Sequence, residues 1–263
     1  MTIRLFWFRG ANHVNFGDEL SGRIVEMLSG RAVEYAPVGA CNFAAIGSIL
    51  DQVLPTYVRT KRTDPLQIWG AGNMSPRTYN VLPAGVQVHA VRGPLTRAGL
   101  PGDDATTLGD PGLLAGQLFD GLRVDKAFTV GIIPHKSERN RPEFRDLARQ
   151  LPGSRLINVM EPDPTDVARA MKACHFILSS SLHGLIVADA FGIPNAWLNV
   201  TRIHTAPEFK FFDYFISTGR PIRAHAANAI AANFGEHLFD LAAPARVAEM
   251  AEALRASFPR YIG

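Results

Sequence analysis

Residues 176–200 read FILSSSLHGLIVADAFGIPNAWLNV, and they decide the fold class. Residues 176–178 form a short apolar run that opens onto Ser179, Ser180 and Ser181. Residues 182–191 are mostly apolar, stop at Gly192 and are followed by Pro194, the usual way for a helix to end. Residues 196–200 are apolar again. Strand, helix and strand in this order build a parallel sheet. This is also the longest apolar region of the chain. His183, Asp189, Pro194 and the asparagines interrupt it, so it does not read as a membrane-spanning helix.

The same grammar extends in both directions. Apolar runs at 3–8, 43–46, 66–69, 86–91 and 106–108 end at Arg9-Gly10, Gly47-Ser48, Gly70-Ala71-Gly72, Arg92-Gly93 and Gly109-Asp110-Pro111-Gly112. A polar gap at 121–126 follows. A second series then runs through 128–133, which ends at Pro134-His135-Lys136, and through 156–159, 176–178 and 196–200. Helical spacing fills the intervals: Leu20, Ile24, Val25 and Leu28 before Gly30, then 94–100, 142–151, 164–173, 182–191, 209–216 and 244–258. The chain is therefore expected to be α/β, with two tandem βα series. Residues 1–122 form the first domain and 123–263 the second, with the terminal helix packing back on the first. The ligand cleft is expected between them, at the carboxyl ends of the strands.

Composition narrows the function classes. The 263 residues are 47% hydrophobic and 19% charged, enough apolar material for a real core. Two cysteines, Cys41 and Cys174, are too few for a disulfide framework. The start of the chain has no basic, apolar leader, so a cytoplasmic location is expected. The net charge of +3 is spread out, and no basic cluster with interleaved aromatics points to nucleic acid. Neither glycine-rich nucleotide fingerprint is present. The histidines lack metal-ligand spacing, so no metal is expected.

The strand ends hold the candidate chemistry. Ser181 and His183 open the helix after a buried strand, where free backbone N–H groups favour an anion and a histidine can move a proton. Arg92 ends a strand and is aimed at the crevice. Asp110 lies in a turn that aspartate favours for its own sake. Asp18 is either a helix-start acid or a partner for a sugar hydroxyl. His135 follows a strand end. Lys210 stands among Phe209, Phe211 and Phe212, where a lysine can also snorkel from an apolar face.

The order of these pieces resembles the polysaccharide pyruvyl transferase family. Asn15-Phe16-Gly17-Asp18-Glu19 is similar to its N-x-G-D-E element. Arg92-Gly93-Pro94-Leu95-Thr96 with Leu108-Gly109-Asp110-Pro111 is similar to its R-G-P-x-T and L-G-D-P pair. Ile133-Pro134-His135, then Ser181-Leu182-His183-Gly184 with 188–194, then Lys210 and Asp213, follow in family order. Many members carry arginine where this chain has Ser181. The succinoglycan-type bacterial members lack it too and look similar. Arg202 or Arg92 would then supply that charge.

The resemblance implies two facing Rossmann-like domains, like the GT-B glycosyltransferase architecture. It implies transfer of the pyruvyl unit of phosphoenolpyruvate to a sugar of a bacterial exopolysaccharide repeat unit, as a cyclic ketal, with release of phosphate. It implies no cofactor, a saccharide acceptor that is free or lipid-linked, and work at the inner face of the membrane. His183 would be the general acid and Arg92 would hold the donor. Asn15, Asp18, Asp110, His135, Ser181, Arg202 and Lys210 would bind substrate. A bound dianion is expected to keep His183 protonated against the opposing helix N-terminus. A nucleotide-sugar glycosyltransferase and a non-catalytic sugar-binding protein remain as alternatives on the same architecture.

Overall fold

The computed structural model describes residues 2–9, 14–102, 106–199 and 208–260. The first half lays down β1 (Ile3–Phe6), α1 (Phe16–Ser29), β2 (Val33–Tyr35), β3 (Phe43–Ala44), α2 (Leu50–Arg59) and β4 (Leu66–Trp69). It continues with β5 (Val86–Val91), α3 (Pro94–Arg97), β6 (Thr107–Leu108) and α4 (Ala115–Leu118). Coil over 122–127 leads into the second half. There β7 (Phe128–Ile133), α5 (Pro142–Gln150), β8 (Ser154–Leu156), α6 (Pro164–Lys172), β9 (Cys174–Ser179) and α7 (Leu182–Ala190) alternate. After them come β10 (Asn195–Leu198), α8 (Phe209–Thr218), β11 (Ala224–His225), α9 (Ala227–Ala232) and α10 (Pro244–Ala256).

The strands form two sheets, ordered β2-β1-β3-β4-β5-β6 and β8-β7-β9-β10-β11. The strands within each sheet pair in parallel, as the βα grammar requires. Counted from its own first strand, the first sheet runs 2-1-3-4-5-6 and the second 2-1-3-4-5. The Rossmann order, 3-2-1-4-5-6, is not found: each chain segment reverses direction across the sheet after one strand, not two. The reversal falls between β1 and β3 in one sheet and between β7 and β9 in the other. Connections leave to opposite faces there, and a crevice opens at the carboxyl ends.

Helix α1 forms because Leu20, Ile24 and Val25 recur on one face, which is fully buried. Gly30 closes it in the left-handed region, at φ 63°. Helix α7 is apolar all round and buried over most of its length. Its residues Val187 and Ala188 share a core with Phe16, Leu20 and Trp69 of the first half. The Phe16 amide donates to the Val159 carbonyl at 2.7 Å. Helix α10 returns to the first sheet: the Trp69 indole donates to the Leu254 carbonyl at 3.0 Å, and Phe258 packs edge-on against the Trp69 ring.

Several elements differ from the sequence reading. The strand expected at 156–159 is β8, two residues earlier. Ile157 and Val159 are buried without being strand, because the Ile157 amide bonds the Ile132 carbonyl beyond the end of the ladder. Helix α2 is unannounced in the sequence because Pro55 sits inside it and interrupts the helical signal. Strand β2 is three residues long, with no fully buried residue, so it left no apolar run. Among the described residues, no helix is long and apolar enough to cross a membrane.

Candidate active site

The crevices at the two reversal points meet in one cavity of about 340 Å³. Phe8 follows β1 and Ser48 follows β3; His135 and Lys136 follow β7; Ser181 and His183 follow β9. All six line it. Asn15 and Asp18 from the start of α1, Arg92 from the end of β5 and Lys210 from α8 complete its polar wall. Larger depressions of about 400 and 470 Å³ lie elsewhere, and neither is lined by Arg92, His183 or Lys210.

Thus Asn15, Asp18, Arg92, His135, Ser181, His183 and Lys210 are brought together from positions up to 195 residues apart in sequence (210 − 15). Asp110 does not join them. Its side chain is fully buried, and one oxygen accepts the Gly112 amide at 2.8 Å, capping the turn at 111–114. Its other oxygen is buried with no partner among the described residues, and burial pushes its carboxyl up to about 6. Asp110 is therefore a turn cap, the role its Gly-Asp-Pro-Gly setting favours. Arg202 lies outside the described residues.

Arg92, expected to be aimed at the crevice, is held by other residues of the protein. It is fully buried within the wall. Its Nε donates to Asp213 Oδ2 at 3.0 Å, Nη2 to the Asn73 carbonyl at 2.7 Å, and Nη1 to Ser48 Oγ. Three of its N–H groups are committed, and its charge is matched. Asp213, on α8, also accepts the Leu95 and Thr96 amides and the Thr96 hydroxyl, at 2.9, 3.0 and 2.7 Å. One carboxylate thus fastens the second half to the start of α3 and to Arg92. Gly93 is required at this junction, because a Cβ there would overlap the Asp213 backbone.

His183 is the second residue of α7. Its ring is packed so closely on Gly17 that a Cβ at Gly17 would overlap it. The glycine of the Asn15–Glu19 element therefore exists to admit the histidine. Gly17→Ala should destabilise the fold by about 1–3 kcal/mol through overpacking. Urea unfolding checks this, and unchanged stability would show that the ring and α1 are not in contact.

As a residue His183 is half-buried, but its Nε2 is enclosed and has no hydrogen-bond partner. Burial, with Lys210, Arg92 and Lys136 nearby, lowers its pKa from 6.5 to about 3. These protein groups therefore favour the neutral ring. The sequence reading weighed only the helix N-terminus against the donor, and burial and three cations add to that opposition. The other groups are also displaced. Burial raises Asp18 to about 6 against the lowering pull of the Asn15 amide and Lys136. Burial, then Arg92, lowers Lys210 to about 8, and its ammonium lies over the Phe211 ring. Groups pushed apart in this way mark proton-transfer sites. The excess positive charge and the start of α7 suit a small anion.

Sequence reasoning missed three residues that matter here. Ser48 and Lys136 were visible only as strand-end residues. Asn73 contributes a carbonyl, for which side-chain chemistry gives no signal. Among the described residues, no three His, Cys, Asp or Glu side chains gather as they would around a metal.

Fold and site define a parallel α/β protein of two sheets with a cationic, histidine-bearing cavity at their shared carboxyl edge. The chain belongs to the polysaccharide pyruvyl transferase family, whose model matches residues 15–202. It is 31% identical over 153 residues to the uncharacterized protein L143 of Acanthamoeba polyphaga mimivirus, covering 56% of this chain and 53% of that one. It is 27% identical over 216 residues to the succinoglycan biosynthesis protein ExoV of Rhizobium meliloti (strain 1021), covering 80% of this chain and 63% of that one. The chain therefore spans between half and two thirds of the length of these relatives. A solved chain from Listeria monocytogenes, described as a UDP-N-acetylglucosamine 2-epimerase, superposes with a TM-score of 0.44 at 10% identity over 99% of both chains. A likeness at that level supports neither fold nor function. Lys210 and Asp213 lie beyond the matched span.

Proposed function

We propose that this protein is a transferase that moves the pyruvyl unit of phosphoenolpyruvate onto a sugar of a bacterial exopolysaccharide repeat unit, as a cyclic ketal. The observation that carries the reading is convergence: residues from four separate family elements line one small cationic cavity in a chain that belongs to the family. The two sheets are read as two domains, 1–122 and 123–263, facing each other across that cavity as in GT-B enzymes. The acceptor is taken to be a saccharide, free or on a lipid carrier, met at the cytoplasmic face of the membrane.

In this reading protonated His183 gives its proton to C3 of the enolpyruvyl group, and C2 becomes electrophilic. A sugar hydroxyl oxygen bonds to C2 and returns a proton to His183. A second hydroxyl of the same sugar bonds to C2 while the C2–O bond to phosphate breaks, and its proton leaves with the phosphate. Lys210 and the start of α7 offset the donor's negative charge. Asn15 and Asp18, from the start of α1, hold the acceptor hydroxyls. No metal is needed for these steps.

The test supplies the purified protein with phosphoenolpyruvate and a panel of lipid-extracted oligosaccharides, and follows phosphate release and acceptor mass. Release of phosphate with gain of a pyruvyl unit is expected. Consumption of nucleotide sugars, with phosphoenolpyruvate untouched, would instead identify a glycosyltransferase.

A further inference from the structure

We infer that Lys136 is the mouth-side cation of the cavity: its ammonium, parked between Phe8 and Asp18, turns inward to hold the end of a small dianion that Lys210 does not reach. This rests on the donor reading above for the identity of the dianion. The cavity wall holds three cations among the described residues, and they are not equivalent. Arg92 is fully buried, with its charge spent on Asp213. Lys210 is 7% exposed and fixed at the floor. Lys136 alone keeps an accessible side chain, 23% exposed.

Its present contacts are weak ones. The ammonium lies 4.1 Å from the centroid of the exposed Phe8 ring, a contact of small worth in water. Its distance to Asp18 Oδ2 is 3.9 Å, the outer limit of an ion pair. That same oxygen already accepts the Asn15 amide. So Lys136 reaches from the second half across the mouth to two residues of the first, and neither contact holds it firmly. A donor with a carboxylate at one end and a phosphate at the other needs separated cations. The floor supplies one, and Ser181 beside His183 supplies only a hydroxyl. A lysine is suited to the second place, because its flexible stem delivers a point charge over a range of positions.

The experiment measures binding of phosphoenolpyruvate, and separately of inorganic phosphate, by calorimetry to wild type, Lys136→Gln, Lys136→Arg and Phe8→Leu. Loss of a charge-assisted contact should weaken binding of phosphoenolpyruvate to Lys136→Gln roughly 10- to 100-fold. Lys136→Arg should stay within a few-fold of wild type. Phe8→Leu removes the parking ring and should bind as tightly as wild type or tighter. Where turnover is measured, KM for the donor should rise in Lys136→Gln while kcat stays nearly level. Wild-type affinity for phosphoenolpyruvate in folded Lys136→Gln would overturn the role of Lys136 and leave the donor reading standing. Should wild type bind phosphate but not phosphoenolpyruvate, the donor reading fails, and the phosphate ratio between wild type and Lys136→Gln decides on Lys136. Binding of neither anion by wild type overturns both.

Discussion

Asp213→Ala should destabilise the folded protein by about 3–5 kcal/mol, the usual cost of removing one partner from a buried ion pair. The carboxylate is fully buried and accepts four hydrogen bonds, from Arg92 Nε, two amides at the start of α3 and the Thr96 hydroxyl. Without it the Arg92 guanidinium stays in the interior with no counter-charge, and two N–H groups lose their acceptor. Asp213→Asn keeps an oxygen for the α3 amides but turns a donor toward Arg92, so it should fall between alanine and wild type. Arg92→Lys should also be costly, because one ammonium cannot reach Asp213, Ser48 and Asn73 in the geometry of the planar fork. Replacing both partners with apolar residues should cost less than either single alanine. Urea unfolding of these variants, with Arg92→Ala beside them, checks the set. Wild-type stability in Asp213→Ala would mean that the two halves do not depend on this pair.

This pair also shows where sequence reading stops. Arg92 and Asp213 were each visible as parts of a motif, but 121 residues separate them and no local pattern joins them. A strand end normally faces the crevice, so sequence alone aims Arg92 there. The acid that occupies the fork comes from a helix in the other half. Asp110 misled for the opposite reason, since a turn cap and a substrate ligand look alike in a Gly-Asp-Pro-Gly sequence. The strands were largely legible, because buried parallel strands are apolar throughout and stop at small residues. Their order in the sheet was not, since strand order is set by the side to which each crossover returns. Proline in α2 and the short, half-exposed β2 removed the periodic signal that a reader needs. A glycine in a short motif does not show in sequence what crowds it. Gly17 and Gly93 are contact points where His183 and Asp213 come too close for any side chain.

The displaced groups also set how stability answers to pH, with opposite signs. The unfolded chain protonates His183 near 6.5, whereas the folded one does so only at about 3. The unfolded state therefore binds more protons in that window, and this group's contribution to stability falls as pH drops through it. Asp18 and Asp110, raised from 3.8 to about 6, bind protons in the folded state first. Their contribution is full below 3.8 and is lost as pH rises through about 6. The acid sensitivity of His183→Asn should accordingly be weaker than that of wild type.

On the proposed function, His183→Asn should lose turnover by a factor on the order of 10²–10⁴, the usual worth of a positioned acid, while still binding phosphoenolpyruvate. The protein's own groups do not favour the acid form of the ring: burial and three cations hold its pKa at about 3. In the proposed reaction the donor changes that balance, because the carboxylate and phosphate of phosphoenolpyruvate bring negative charge against the same cations. Their repulsion of a protonated ring is then offset, and the enclosed Nε2, which has no partner in the protein, gains an anionic neighbour. Donor binding should therefore draw a proton from solvent near neutral pH. Calorimetry in buffers of different ionisation enthalpy reads this directly: wild type should show uptake of a substantial fraction of one proton, and His183→Asn much less. Lys210, lowered to about 8, should gain proton occupancy at the same time and leave a residue of uptake above pH 7 in the variant. A wild type that binds phosphoenolpyruvate with no proton uptake, together with a His183→Asn variant of normal turnover, would move the acid role to another group on the cavity wall. His135 is then the next to test, because its ring stands at the end of β7 on the same cavity, hydrogen-bonded only 2.7 Å from the Ser137 hydroxyl.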